Sequence, residues 1–128
     1  GETDEWAHAG KYQYYLDAAR QFDNWLQQIW TFVQADPQYR NNTVLFITTD
    51  HGRGDADKKQ WTSHGNSVKD SDELWMAALG PGIAAKGELN TPMQVYQQQF
   101  AQTIAGLLGY HFTANHPVAA GINLQLKK

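Results

Sequence analysis

Cysteine is absent from the 128 residues. Disulfide scaffolds, thiolate zinc sites and cysteine nucleophiles are thereby excluded. Charge is sparse, with 18% of residues Asp, Glu, Lys or Arg and a formal net charge of -3, against a usual charged share of about 25%. Without a basic excess there is no footprint for a polyanion, so nucleic acid is not an expected partner. Long apolar runs are lacking too. None approaches the roughly 20 residues that a membrane helix needs, so no membrane partner is expected. Internal repeats and low-complexity tracts are missing. What is present is apolar mass, 41% hydrophobic and 12% aromatic with five Trp. That excludes general disorder and predicts a single domain over 1–128. The acidic start Gly1-Glu2-Thr3-Asp4-Glu5 has no initiator Met and is not a signal peptide. It reads as the start of a mature or excised piece, with Lys127-Lys128 as a natural end. The cysteine-free, Gln-rich composition is compatible with a periplasmic or secreted setting.

Hydrophobic spacing predicts alternating helix and strand. Tyr15, Leu16, Ala19, Phe22, Leu26, Ile29, Trp30 and Val33 recur at gaps of three and four, which predicts an amphipathic helix over 11–35. Asp36-Pro37 ends it, because a residue before Pro is pushed out of the α region. Val44-Leu45-Phe46-Ile47-Thr48 suits a strand buried on both faces. Residues 53–72 are polar and turn-rich and read as a long functional loop. Leu74–Leu79 predicts a second buried strand, ended by Gly80-Pro81-Gly82. Thr91-Pro92 is a helix start, with the helix running through Val95, Tyr96, Phe100, Ile104, Leu107 and Leu108 to Gly109. Ile122 and Leu124 suggest a short edge strand. The expectation is an α/β fold, a partial three-layer sandwich with a mostly parallel or mixed sheet flanked by helices. Two strands make a thin sheet, so the chain reads as part of a larger one. Its exposed sheet edges would suit a homo-oligomer.

The residues that could carry chemistry cluster by type. Asp50-His51 stands at the carboxyl end of the first apolar run, where ligands bind in open α/β sheets. Asp and His together suit zinc or manganese, and Gly52 lets the backbone turn tightly behind them. His64 shares the following loop. Asp4 and His8 are four apart, a spacing that puts both on one face of a helical turn. Together these make two carboxylates and three imidazoles. Arg53, Lys58, Lys59 and Trp61 offer contacts to an anionic substrate, with Trp61 equally suited to anchor the loop. Trp25, Trp30 and Trp75 read as core, and His111 and His116 as surface. Arg53-Gly54-Asp55 matches an adhesion triplet, but three residues are a cheap match. Asn41-Asn42-Thr43 is a sequon that matters only in a secretory eukaryotic setting. The glycines at 80, 82 and 87 form no phosphate-binding fingerprint, and no Ser lies in a strand–turn–helix that would suit a Ser-His-Asp triad.

In this order the motifs resemble the carboxyl-terminal part of the alkaline phosphatase superfamily. That group takes in phosphatases, phosphodiesterases, sulfatases and cofactor-independent phosphoglycerate mutases. The family pattern is Asp-x-x-x-His opening a long helix, a strand ending in Ser/Thr-Asp-His-Gly, a His-Gly, a strand ending in Gly-Pro-Gly-Ile, and a helix from Thr-Ile to Leu-Leu-Gly. Here these stand as Asp4 to His8, Thr49 to Gly52, His64-Gly65, Gly80 to Ile83, and Thr103-Ile104 to Gly109. The resemblance implies that Asp4, His8 and His64 hold one metal and Asp50 and His51 a second. The ions would be two zinc, or manganese, bridged by the oxygens of a small anionic ester. It also implies that the nucleophile and a further Asp ligand come from an amino-terminal segment. Thr48, Thr49 and Ser63 do not match the nucleophile's motif. The expected parent is a hydrolase or mutase on phosphate or sulfate esters, with this chain alone inactive. The alternative is a non-catalytic metal-binding or oligomerisation module derived from that fold. Phosphomonoester, phosphodiester, sulfate ester and phosphoglycerate all stay open as substrates.

Overall fold

A computed structural model describes residues 1–55, 57, 59–89 and 93–124. Lys58, the Thr91-Pro92 helix start and Lys127-Lys128 lie outside the described residues. The chain forms two compact units, Gly1–Pro81 and Gly82–Lys128.

The first unit opens with two helices, α1 (Glu2–His8) and α2 (Tyr12–Ala35). Acidic residues Glu2, Asp4 and Glu5 crowd the first turn of α1, where the exposed N–H groups favour negative charge. Gly10 turns the chain between the helices in the left-handed region, at φ 66°. There the Gly10 and Lys11 N–H groups donate to the Ala7 and Trp6 carbonyls at 2.8 and 2.9 Å, which satisfies the end of α1. The helices meet through fully buried Ala7 and through the Trp6 and Tyr14 rings, 5.0 Å apart. Helix α2 ends as its sequence predicts. Asp36 is extended before Pro37, and its carboxylate accepts from the Gln38 N–H at 2.7 Å.

Strands β1 (Leu45–Thr48) and β2 (Met76–Leu79) pair antiparallel, with Leu45 opposite Leu79 and Thr48 opposite Met76. This corrects the expected architecture. The described residues form three α-helices and one two-stranded antiparallel sheet, not a three-layer sandwich with a parallel or mixed sheet. The reason lies in the connection. Parallel neighbours need a crossover, usually an α-helix. The described residues of 49–75 hold only a short 3-10 turn, Gln60–Thr62, so the chain comes back beside itself. An apolar run announces a strand but not its direction.

The sheet is correspondingly shallow. Every residue of β1 is half-buried rather than enclosed on both faces. Two of the Trp residues expected in the core are not there, since Trp25 and Trp75 are half-exposed. Trp25 lies on one stripe of α2 with Phe22, Ile29 and Phe32, all of them exposed, while Val33 is buried.

The second unit carries α3 (Phe100–Leu107), entered through a 3-10 turn at Gln97–Gln99, with residues 93–96 before it irregular where a helix is expected. Gln99 accepts from the Tyr96 N–H at 2.9 Å and caps the turn. The buried Thr103 hydroxyl donates to the Gln99 carbonyl at 2.7 Å and accepts from the Ile122 N–H at 2.8 Å. Thr103 thus ties the tail to the helix by a side-chain bond. Ile122 and Leu124 lie in irregular backbone, not in the edge strand their sequence suggests. No helix among the described residues is long and apolar enough to cross a membrane.

Candidate metal centre

Three candidate imidazole ligands converge on one atom of a fourth candidate, Asp4. The Asp4 Oδ1 oxygen lies 3.4 Å from His8 Nε2, 3.7 Å from His51 Nε2 and 3.7 Å from His64 Nε2. Asp4 and His8 project together because one helical turn separates them on α1. His51 arrives from the segment after β1, and His64 follows the 3-10 turn Gln60–Thr62. Asp4, His51 and His64 each present a ligand atom within 4.8 Å of the others. A tetrahedral zinc with bonds of 2.0–2.1 Å separates its ligand atoms by roughly 3.4 Å. The distances about Asp4 Oδ1 fall close to that edge length.

The proton positions at His51 follow from its neighbour. Its Nδ1 lies 2.8 Å from the Gly52 carbonyl oxygen. A carbonyl only accepts, so Nδ1 carries a hydrogen, and Nε2 is the nitrogen turned toward Asp4. Metal-ligating imidazoles carry this same outer hydrogen bond. His8 Nε2 and His64 Nε2 are 3.1 Å apart, so one donates to the other. The His51 and His64 rings stack at 3.8 Å with 19° between their planes. Lone pairs lie in the ring planes, so both rings would have to splay for their nitrogens to meet at one ion.

The positive partner of Asp4 is Arg53. Its guanidinium donates to Asp4 Oδ1, to the Asp4 carbonyl at 3.3 Å and to the Trp61 carbonyl at 3.3 Å. Partial burial alone would raise the Asp4 carboxyl. The Arg53 charge, followed by His8, the Arg53 hydrogen bond and His64, outweighs burial and holds it below its ordinary value of 3.8.

Asp50 is the most exposed of the five candidates. Its side chain is 91% exposed, with one carboxylate oxygen 3.8 Å from His51 Nε2 and 3.1 Å from the His51 N–H. The structure thus gathers Asp4, His8, His51 and His64 into one set, whereas the resemblance divides them between two ions. Trp61 packs edge-on against Tyr12 and Tyr15 of α2, at 5.3 and 5.8 Å, and so fixes the loop that carries Arg53 and His64. His111 and His116 are exposed, as expected.

Two supports escaped the sequence reading or were understood differently in it. Ser71 is buried, and its hydroxyl donates to the Gly65 carbonyl at 2.9 Å and accepts from the Gly65 N–H at 3.0 Å. It pins the residue next to His64, and no motif marks it. Gly52 is required for clearance. A Cβ there would sit 2.2 Å from the Glu73 carbonyl oxygen and 3.1 Å from that of Asp70.

No protein-family model, curated protein or solved structure matches the chain.

Proposed function

We propose that the chain binds a divalent cation, zinc before manganese, through Asp4, His51 and His64 with His8 alongside. In this reading it is the metal-binding part of a hydrolase or mutase acting on phosphate or sulfate esters. The observation that supports it is the meeting of three imidazole nitrogens at one carboxylate oxygen, at separations close to a tetrahedral zinc edge. The ester class follows from the motif order given above. The chemistry such an ion supplies when bound is Lewis-acid polarisation of a phosphoryl or sulfuryl oxygen. Asp4 contributes the anionic ligand. Gly52 orients His51 by accepting from Nδ1, and Ser71 steadies the backbone at His64. No residue of the chain is given the nucleophile's role, so the chain alone is expected to bind metal without turnover.

The test is zinc content after exposure and desalting, for the chain and for His51→Ala and His64→Ala. The expected result is about one retained ion per chain, lost in both variants. Retention undiminished in both variants, or none in the unaltered chain, would discard the reading. The outward Asp50 carboxylate favours a second reading, a metal-binding module without catalysis. The two part in the longer polypeptide that the first reading implies. There His51→Ala and His64→Ala are each expected to abolish ester hydrolysis, and ester turnover absent before any substitution selects the second reading.

A further inference from the structure

We propose that Arg53 and the divalent cation compete for Asp4 Oδ1, so that Arg53 sets the metal affinity by yielding the carboxylate when the ion binds. This rests on the metal-binding reading above. The oxygen that His8, His51 and His64 all face is the one to which the Arg53 guanidinium donates. One cation can hold that position at a time. A guanidinium and a divalent ion on the same oxygen would repel each other at close range, in surroundings where water screens them incompletely. The pairing is built in, because the Arg53 side chain is 15% exposed, less than Asp4 at 34%, His51 at 28% or His64 at 32%.

The exchange is also feasible. Arg53 has two further acceptors, the Asp4 and Trp61 carbonyls, and both belong to the backbone. They remain in place when the Asp4 side chain turns to an ion, so the guanidinium keeps two hydrogen bonds while it gives up its counter-charge.

The test is a zinc titration against a chelating indicator, using the whole chain and the variants Arg53→Gln, Arg53→Lys and Arg53→Gln/His64→Ala. Losing a charge-assisted hydrogen bond to Asp4 predicts zinc affinity about tenfold tighter or more in Arg53→Gln. Arg53→Lys keeps the competing charge and is expected to stay near the unaltered chain. The double variant is expected to lose the gain. The melting temperature without zinc should fall in Arg53→Gln and recover when zinc is added, whereas a purely structural arginine would lower both. Equal or weaker zinc binding by Arg53→Gln overturns the competition and leaves the metal site standing. Zinc bound by none of the proteins overturns both. A measurement on the unaltered chain guards against a variant that fails to fold. The NMR signals of the Arg53 guanidinium should shift and exchange faster with water at saturating zinc. Signals unchanged by saturating zinc overturn the proposal.

Discussion

The Ser71 hydroxyl serves Gly65 twice, as donor and as acceptor, from a position only 7% exposed. Ser71→Ala removes both bonds and leaves two backbone groups with no side-chain partner. The expected cost is about 1–3 kcal/mol in denaturant unfolding, together with weaker zinc binding through a loosened His64. Stability within error of the unaltered chain would mean that water takes the hydroxyl's place. Asp4 makes a different prediction, in pH. Its carboxyl lies below 3.8 in the folded chain, so the unfolded chain binds that proton more readily. The stabilisation is therefore complete above the unfolded value and is lost as pH falls through the folded one. The denaturation midpoint should drop as pH falls below about 4, and Asp4→Asn should show a flatter profile over that range. Parallel profiles would remove Asp4 from the account.

Between the strands, the chain crosses itself at Gly52. A methyl group there meets the Glu73 carbonyl at 2.2 Å, so Gly52→Ala must push the segments at 50–53 and 70–73 apart. The expected loss is about 1–3 kcal/mol, with His51 displaced from Asp4. Unfolding curves and zinc titration on that variant check both effects, and a variant unchanged in both would place the crossing elsewhere.

Elements were well marked in the sequence where periodicity or a breaker speaks locally. The expected helix at 11–35 is Tyr12–Ala35, and the two apolar runs contain Leu45–Thr48 and Met76–Leu79. What the sequence hid is decided at a distance. Strand direction depends on what the connection builds. The partner of Arg53 lies 49 residues away, on a helix whose link to that loop no local pattern records. Asp50 and His51 are chain neighbours in one motif, yet the first side chain is exposed and the second is half-buried beside Asp4. The residue types that meet at Asp4 were legible, but their meeting at one oxygen was not.

For the molecule as a whole, the four converging ligands and Arg53 all belong to the first unit. Zinc at about a hundred times its dissociation constant should add about 2.7 kcal/mol to whatever must open to release it. Hydrogen exchange should therefore slow by about a hundredfold for the best-protected amides of α2 and stay unchanged for those of α3. Equal slowing in α3 would mean that the ion sits elsewhere or that both units open together.

The brevity of α1 has a consequence for the order of folding. Seven residues are too few for a helix to persist alone in water. Its contact with His64 spans 56 residues, a loop whose closure entropy is met only once the intervening α2 and β1 are in place. An ion joining the two would hold them as a cross-link does once the rest of the unit has folded. The amino-terminal turn would then be a clasp, last to fasten during folding and first to spring open when a chelator takes the metal.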